Sequence, residues 1–184
     1  KTGSACSLDD LIEKALNENK SARGIQWDAM VLAVPGAIRD NTSAELANVS
    51  WAVDVSGLRL RLQDTKIFLI NDFVAQAYAC PLETCLKKEI VQGGEAREGG
   101  NLAVIGACTG LGHCTLATTR QGTFLALPSE AGHAAFSFYG KTETAYRDYL
   151  LKRTGAEYPY GDIVVSGPGL THLHAFLTGR DLTP

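Results

Sequence analysis

The sequence predicts an α/β fold in two parts, and three observations carry that expectation. Two apolar, strand-like runs, 28–34 and 66–70, alternate with helical patterns, an order that builds parallel strand pairings. Farther on, 102–105, 113–119 and 123–127 are three close-set strand candidates with the look of an antiparallel meander. Between these regions, Gly93-Gly94 and Gly99-Gly100 bracket a charged stretch of linker composition. The expected organisation is therefore 1–92 as one α/β half, 93–100 as a linker and 101–184 as the second half.

Each element has a local reason. Ser7-Leu8-Asp9-Asp10 has capping-box spacing, and Leu8, Leu11, Ile12, Ala15 and Leu16 follow at helical intervals, so a first helix is expected over 7–19. The run 28–34 is a buried strand closed by Pro35-Gly36. Residues 37–55 read as short strands carrying Trp51, and 56–62 as a short helix. The strand at 66–70 leads through Asn71-Asp72 into a helical 73–79. Beyond the meander, helices are expected at about 142–153 and 168–178.

Composition narrows the function classes. The 184 residues are 45% apolar and 20% charged, enough for a real core. Seventeen Lys and Arg stand against 20 Asp and Glu, a net charge of −3, which predicts no electrostatic footprint for nucleic acid or an anionic membrane. No apolar run approaches the roughly 18 residues a membrane span needs, and with no basic and apolar leader pattern in these residues no secretory signal is expected. The five cysteines lack CxxC spacing, so no disulfide framework or metal site is expected and a cytoplasmic location fits. The chain opens Lys1-Thr2-Gly3 without an initiator Met and is read as an excerpt from a longer protein.

Three places could do chemistry. Asp72 sits where a strand hands over to a helix, at the carboxyl end where open α/β sheets place ligands. A carboxylate there can take a proton from a substrate hydroxyl, with Asn71 beside it to bind a neighbouring oxygen; equally, Asn and Asp are preferred helix caps. Gly106-Ala107-Cys108-Thr109-Gly110-Leu111-Gly112 lies between two strands, a context that excludes a Rossmann fingerprint or Walker loop. Such a hairpin can aim N–H groups at a phosphate, with the Thr109 hydroxyl assisting, or be only a tight turn. Ser129-Glu130-Ala131-Gly132-His133 follows the meander. Glu130 and His133 can bind adjacent hydroxyls of a sugar or form a local loop pair.

Taken in order, these motifs resemble bacterial glucokinases of the hexokinase/actin-like superfamily. Leu69-Ile70-Asn71-Asp72-Phe73-Val74-Ala75 resembles the family's Leu-Ile-Asn-Asp-Phe-x-Ala segment. Gln92-Gly93-Gly94 and Thr109-Gly110-Leu111-Gly112 resemble its phosphate hairpin and approach, and Glu130-Ala131-Gly132-His133 its sugar loop. Val165-Ser166-Gly167-Pro168-Gly169-Leu170 resembles its Leu-Ser-Gly-Pro-Gly-Leu run.

The resemblance implies a ribonuclease H-like, two-domain sugar kinase around a cleft. The chain would hold most of the small domain and the first part of the large one. It implies transfer of phosphate from ATP with Mg2+ to the 6-hydroxyl of glucose or a similar hexose, at the entry to glycolysis. Asp72 would be the catalytic base, with Asn71, Asp72, Glu130, His133 and Asp162 as substrate-binding residues. Thr109, Gly110 and Gly112 would face the phosphate. A homodimer is also implied. Three glycines of the family pattern are replaced here, by Cys108, Ser129 and Ala131, and Asp162 replaces a Glu one methylene longer. These departures keep a rival expectation in view, a non-catalytic sugar-binding or regulatory protein of the same fold. Parts of the family's nucleotide site have no counterpart in these residues, so the 184-residue chain alone is expected to be inactive.

Overall fold

The structure is a computed structural model that describes residues 5–18, 26–46, 51–82, 89–95 and 97–182. The chain divides into two compact units, Lys1–Ala79 and Cys80–Pro184.

In the first unit, helix α1 spans Leu8–Glu18; position 19, the end of its expected span, lies outside the described residues. Its capping is reciprocal. The Ser7 Oγ accepts the Asp10 N–H at 3.2 Å, and the Asp10 carboxylate reaches back to the Cys6 N–H at 2.8 Å. Strand β1, Ala29–Val34, pairs in parallel with β5, Lys66–Asn71, from Ala29 opposite Lys66 to Val34 opposite Asn71. Between them lie three two-residue strands, β2 Ile38–Arg39, β3 Ser43–Ala44 and β4 Val53–Asp54, in one antiparallel sheet. Trp51 stands just before β4 and donates its Nε1–H to the Ala5 carbonyl at 3.0 Å.

Helix α2 is Ser56–Arg61 and α3 is Asp72–Ala79. The core joins Leu8 of α1, Met30 of β1, Ile67 and Leu69 of β5, Ala44, Val53, Val55 and Leu58. Alternation along β1 and β5 sends Met30, Ile67 and Leu69 inward and leaves Val31 and Phe68 exposed on the other face.

The second unit opens on the predicted meander. Strands β6 Leu102–Ala107, β7 Leu111–Thr118 and β8 Phe124–Ser129 form one antiparallel sheet in chain order. A 3-10 turn follows at Ala131–His133, then α4 Gly140–Thr154, α5 Gly161–Val165 and α6 Gly167–Thr178. Tyr146, Leu150 and Val164 centre a core to which Phe138, Tyr149, Ile163, Leu173 and Phe176 add their rings and branches. The expected α/β class is met, with one parallel pairing and two antiparallel sheets among the described residues.

The Ser-Gly-Pro-Gly run explains the sharp start of α6. Ser166 is the N-cap and its Oγ accepts the Gly169 N–H at 3.2 Å, while Pro168 occupies the first turn where no amide hydrogen is needed. Gly169 has to be glycine for packing reasons: a Cβ there would stand only 2.5 Å from the Val164 carbonyl.

Candidate functional site

In the first unit the candidate residues lie at the carboxyl ends of both parallel strands, since Asn71 ends β5 opposite Val34. The Asn71 Oδ1 accepts the N–H groups of Phe73 (2.9 Å) and Val74 (3.4 Å), and its Nδ2 donates to the Gly36 carbonyl at 3.1 Å. Asn71 thus caps α3 and ties it to the turn that closes β1. Asp72, half-buried, uses one oxygen, Oδ1, on the Phe73 N–H at 2.9 Å. That leaves Oδ2 without a partner among the described residues.

The second unit gathers the other candidates, although 51 residues separate Leu111 from Asp162. Cys108, Thr109 and Gly110 make the turn between β6 and β7, closed by the Cys108 N–H on the Gly110 carbonyl at 2.8 Å. The Cys108 carbonyl accepts the Gly167 N–H at 2.8 Å, fastening the turn to the start of α6. The Leu111 N–H is donated to Asp162 Oδ1 at 2.7 Å. On the other side of that carboxylate stands the 3-10 turn. His133 Nδ1 is 3.8 Å from Asp162 Oδ2, and His133 Nε2 is 3.9 Å from Glu130 Oε2. The imidazole therefore lies between two carboxylates.

Of the three residues that replace glycines, Ser129 uses its side chain locally, its Oγ accepting the Ala131 N–H at 3.2 Å. Thr109, Glu130 and His133 are exposed, and Gly110, Gly112 and Asp162 are half-buried. So one unit brings Thr109, Gly110, Gly112, Glu130, His133 and Asp162 together, and the other holds Asn71 and Asp72.

Sequence reasoning missed three participants. Gly132 and Gly161 are buried where backbones touch; a Cβ on Gly161 would come within 2.9 Å of the Gly132 carbonyl. Tyr160 places its ring 6.0 Å from that of His133, pinned by a bridge between Ala135 and Tyr160. Paired glycines flanking candidate residues were the available signal, because close backbone approach excludes a side chain. His113 and Cys114 are strand neighbours and point to opposite faces, and the buried Cys114 thiol is pushed up by desolvation. No group of three or more His, Cys, Asp or Glu able to hold a metal ion occurs among the described residues.

Comparison with known proteins shows the family and the fold. The family model described as glucokinase matches residues 1–183. A glucokinase from Caulobacter vibrioides is 33% identical over 172 residues, covering 92% of this chain and 51% of its own length. One from Nostoc punctiforme is 34% identical over 151 residues, covering 80% of this chain and 43% of its own length. The chain thus spans about half the length of the curated relatives it matches. The crystal structure of a glucokinase from an Antarctic psychrotroph superposes with a TM-score of 0.76 at 28% identity, over 99% of this chain and 55% of that one. That of a glucokinase from Balamuthia mandrillaris in complex with glucose gives 0.69 at 22% identity, over 92% and 52%, a likeness of fold. By motif order, fold and family match together, the chain belongs to the glucokinase family.

Proposed function

We propose that the protein carrying this chain phosphorylates the 6-hydroxyl of glucose or a similar hexose, with Asp72 as the general base. The observation that carries the reading is the half-buried Asp72 carboxylate at the carboxyl ends of β1 and β5, one oxygen held by the Phe73 N–H and the other unengaged among the described residues. A base so placed can receive the hydroxyl proton while its geometry is fixed by the helix it begins. Asn71 holds that geometry through its cap and has one amide hydrogen left for a sugar oxygen. Glu130 and His133 bind hydroxyls on the exposed side of the 3-10 turn.

The donor proposed is ATP with Mg2+, which supplies the transferable phosphoryl group and most of its charge compensation. The residues present fit a phosphate: the turn between β6 and β7 offers an exposed Thr109 hydroxyl and a glycine with no side chain to obstruct approach. Mg2+ is commonly held by substrate phosphates and water. Phosphoryl transfer needs positioning and charge stabilisation more than covalent help, and both units offer fixed groups for that. A cytoplasmic location and a homodimer belong to the same reading, supported by the family resemblance. No helix among the described residues is long and apolar enough to cross a membrane.

The test is glucose-dependent ADP formation by the intact protein, with Asp72→Ala beside it. The variant is expected to lose about two to four orders of magnitude in kcat, the usual size of a general-base contribution. A loss smaller than about fivefold would reduce Asp72 to a helix-end residue.

A further inference from the structure

Asp162 stands where the resemblance implies a sugar-binding Glu, and here its carboxylate is engaged by the backbone of a neighbouring turn. Its Oδ1 is spent on the Leu111 N–H at 2.7 Å. Both oxygens are walled by glycine: a Cβ on Gly132 would collide with Oδ1 and with the Leu111 carbonyl, and one on Gly110 would stand 3.0 Å from Oδ2. The side chain keeps only 24% of its surface exposed, and Oδ2 looks onto His133 Nδ1 at 3.8 Å. An Asp carboxylate sits one methylene nearer its backbone than a Glu carboxylate.

We propose that Asp162 is a positioning residue: its carboxylate couples the Cys108–Thr109–Gly110 turn to the Ala131–His133 turn and so fixes where Thr109 and His133 stand. Its own backbone adds to the joint. The Asp162 carbonyl accepts the Ser166 N–H at 3.2 Å, and the next residue, Gly167, holds the Cys108 carbonyl. The carboxylate is thus one of two ties between the hairpin turn and the segment that begins α5 and α6. The proposed phosphate and sugar contacts then share one support, and this part of the inference rests on the phosphotransfer reading given above.

The experiment compares wild type, Asp162→Ala and Asp162→Asn of the intact protein by steady-state kinetics and by amide hydrogen exchange at Leu111. Asp162→Ala is expected to unprotect the Leu111 amide, to lower kcat about 100-fold, the scale set by an ångström of misplacement, and to raise the glucose KM as His133 shifts. Asp162→Asn keeps an acceptor oxygen, so Leu111 protection and kcat should return to within about threefold of wild type. A glucose KM raised about tenfold or more in Asp162→Asn, or Leu111 exchange unchanged in Asp162→Ala, overturns the proposal. If Asp162→Ala does not fold, the Asp162→Asn kinetics decide alone. A wild-type protein that releases no ADP with glucose rejects the phosphotransfer reading instead, and the exchange arm still decides the role of Asp162.

Discussion

At Gly132 a methyl group would have nowhere to go, because the Asp162 carboxylate and the Leu111 carbonyl already occupy the space. Neither obstacle is a flexible side-chain end: one is backbone and the other is held by a hydrogen bond. Gly132→Ala should therefore destabilise by about 1–3 kcal/mol, the usual cost of overpacking. Gly110→Ala should cost less, since its Cβ would meet Asp162 Oδ2 at 3.0 Å and small shifts can relieve that. Thermal denaturation of the two variants checks the order; equal melting temperatures would mean the carboxylate is not wedged between them. The same scale shows what the sequence could not disclose. Asn71 and Asp72 each satisfy the statistics of a helix cap, and only the geometry gives Asn71 the Phe73 and Val74 amides together. The bond between Asp162 and Leu111 spans 51 positions, and no local pattern encodes a contact of that reach.

Most helices and strands were legible, short ones included: the short strands read over 37–55 and the short helix read over 56–62 stand as β2 to β4 and α2. Strands β1, β5 and β7 and helices α1, α3, α4 and α6 follow from apolar spacing and end signals. Helix α5, five residues, barely exceeds one turn and the 3-10 turn has three residues, so neither carries a repeated apolar spacing to announce it. They are held instead by tertiary bonds, the Gly161 N–H to the Ala134 carbonyl and the Phe136 N–H to the Pro159 carbonyl. Helices α4 and α6 also meet in a way the sequence hid. Arg153 donates from Nε to His172 Nδ1 at 3.1 Å, from a terminal nitrogen to the Tyr149 hydroxyl, and pairs with Asp181. Burial lowers the His172 pKa below its ordinary 6.5, and the Arg153 charge lowers it further against the opposing pull of Asp181. The neutral ring is the form that accepts from Arg153. As pH falls through about 6.5 the unfolded chain takes up a proton that the folded chain resists, so this contribution to stability is present above that pH and is lost below it. Between about pH 7.5 and about pH 5.5 the wild type should lose more melting temperature than His172→Gln. Parallel pH curves for the two proteins would remove His172 from the account.

At the scale of the whole molecule, apolar strand surface stands open in each of the two units. Parallel sheets are ordinarily covered on both faces, yet the β1–β5 pair keeps Val31 (58% exposed) and its register partner Phe68 on an open face. It is also two strands wide, with no third strand on either edge among the described residues. In the meander, Cys114 and Leu116 fill one face while Ile105 (63% exposed), Leu125 and Leu127 lie open on the other. Open edges and apolar faces of this kind invite association. The glucokinase-family relatives are roughly twice as long, so they carry polypeptide that could cover such surfaces. The 184-residue chain prepared alone is therefore expected to bind an apolar dye such as ANS strongly and to self-associate at micromolar concentration. Ile105→Lys with Leu127→Lys, which places charge on the open meander face without touching Asp72, Glu130, His133 or Asp162, should lower both signals. Sedimentation velocity and dye fluorescence on the two proteins give the answer. A monodisperse monomer with no dye enhancement would show that the open faces are tolerated by water, and the double substitution would then change nothing.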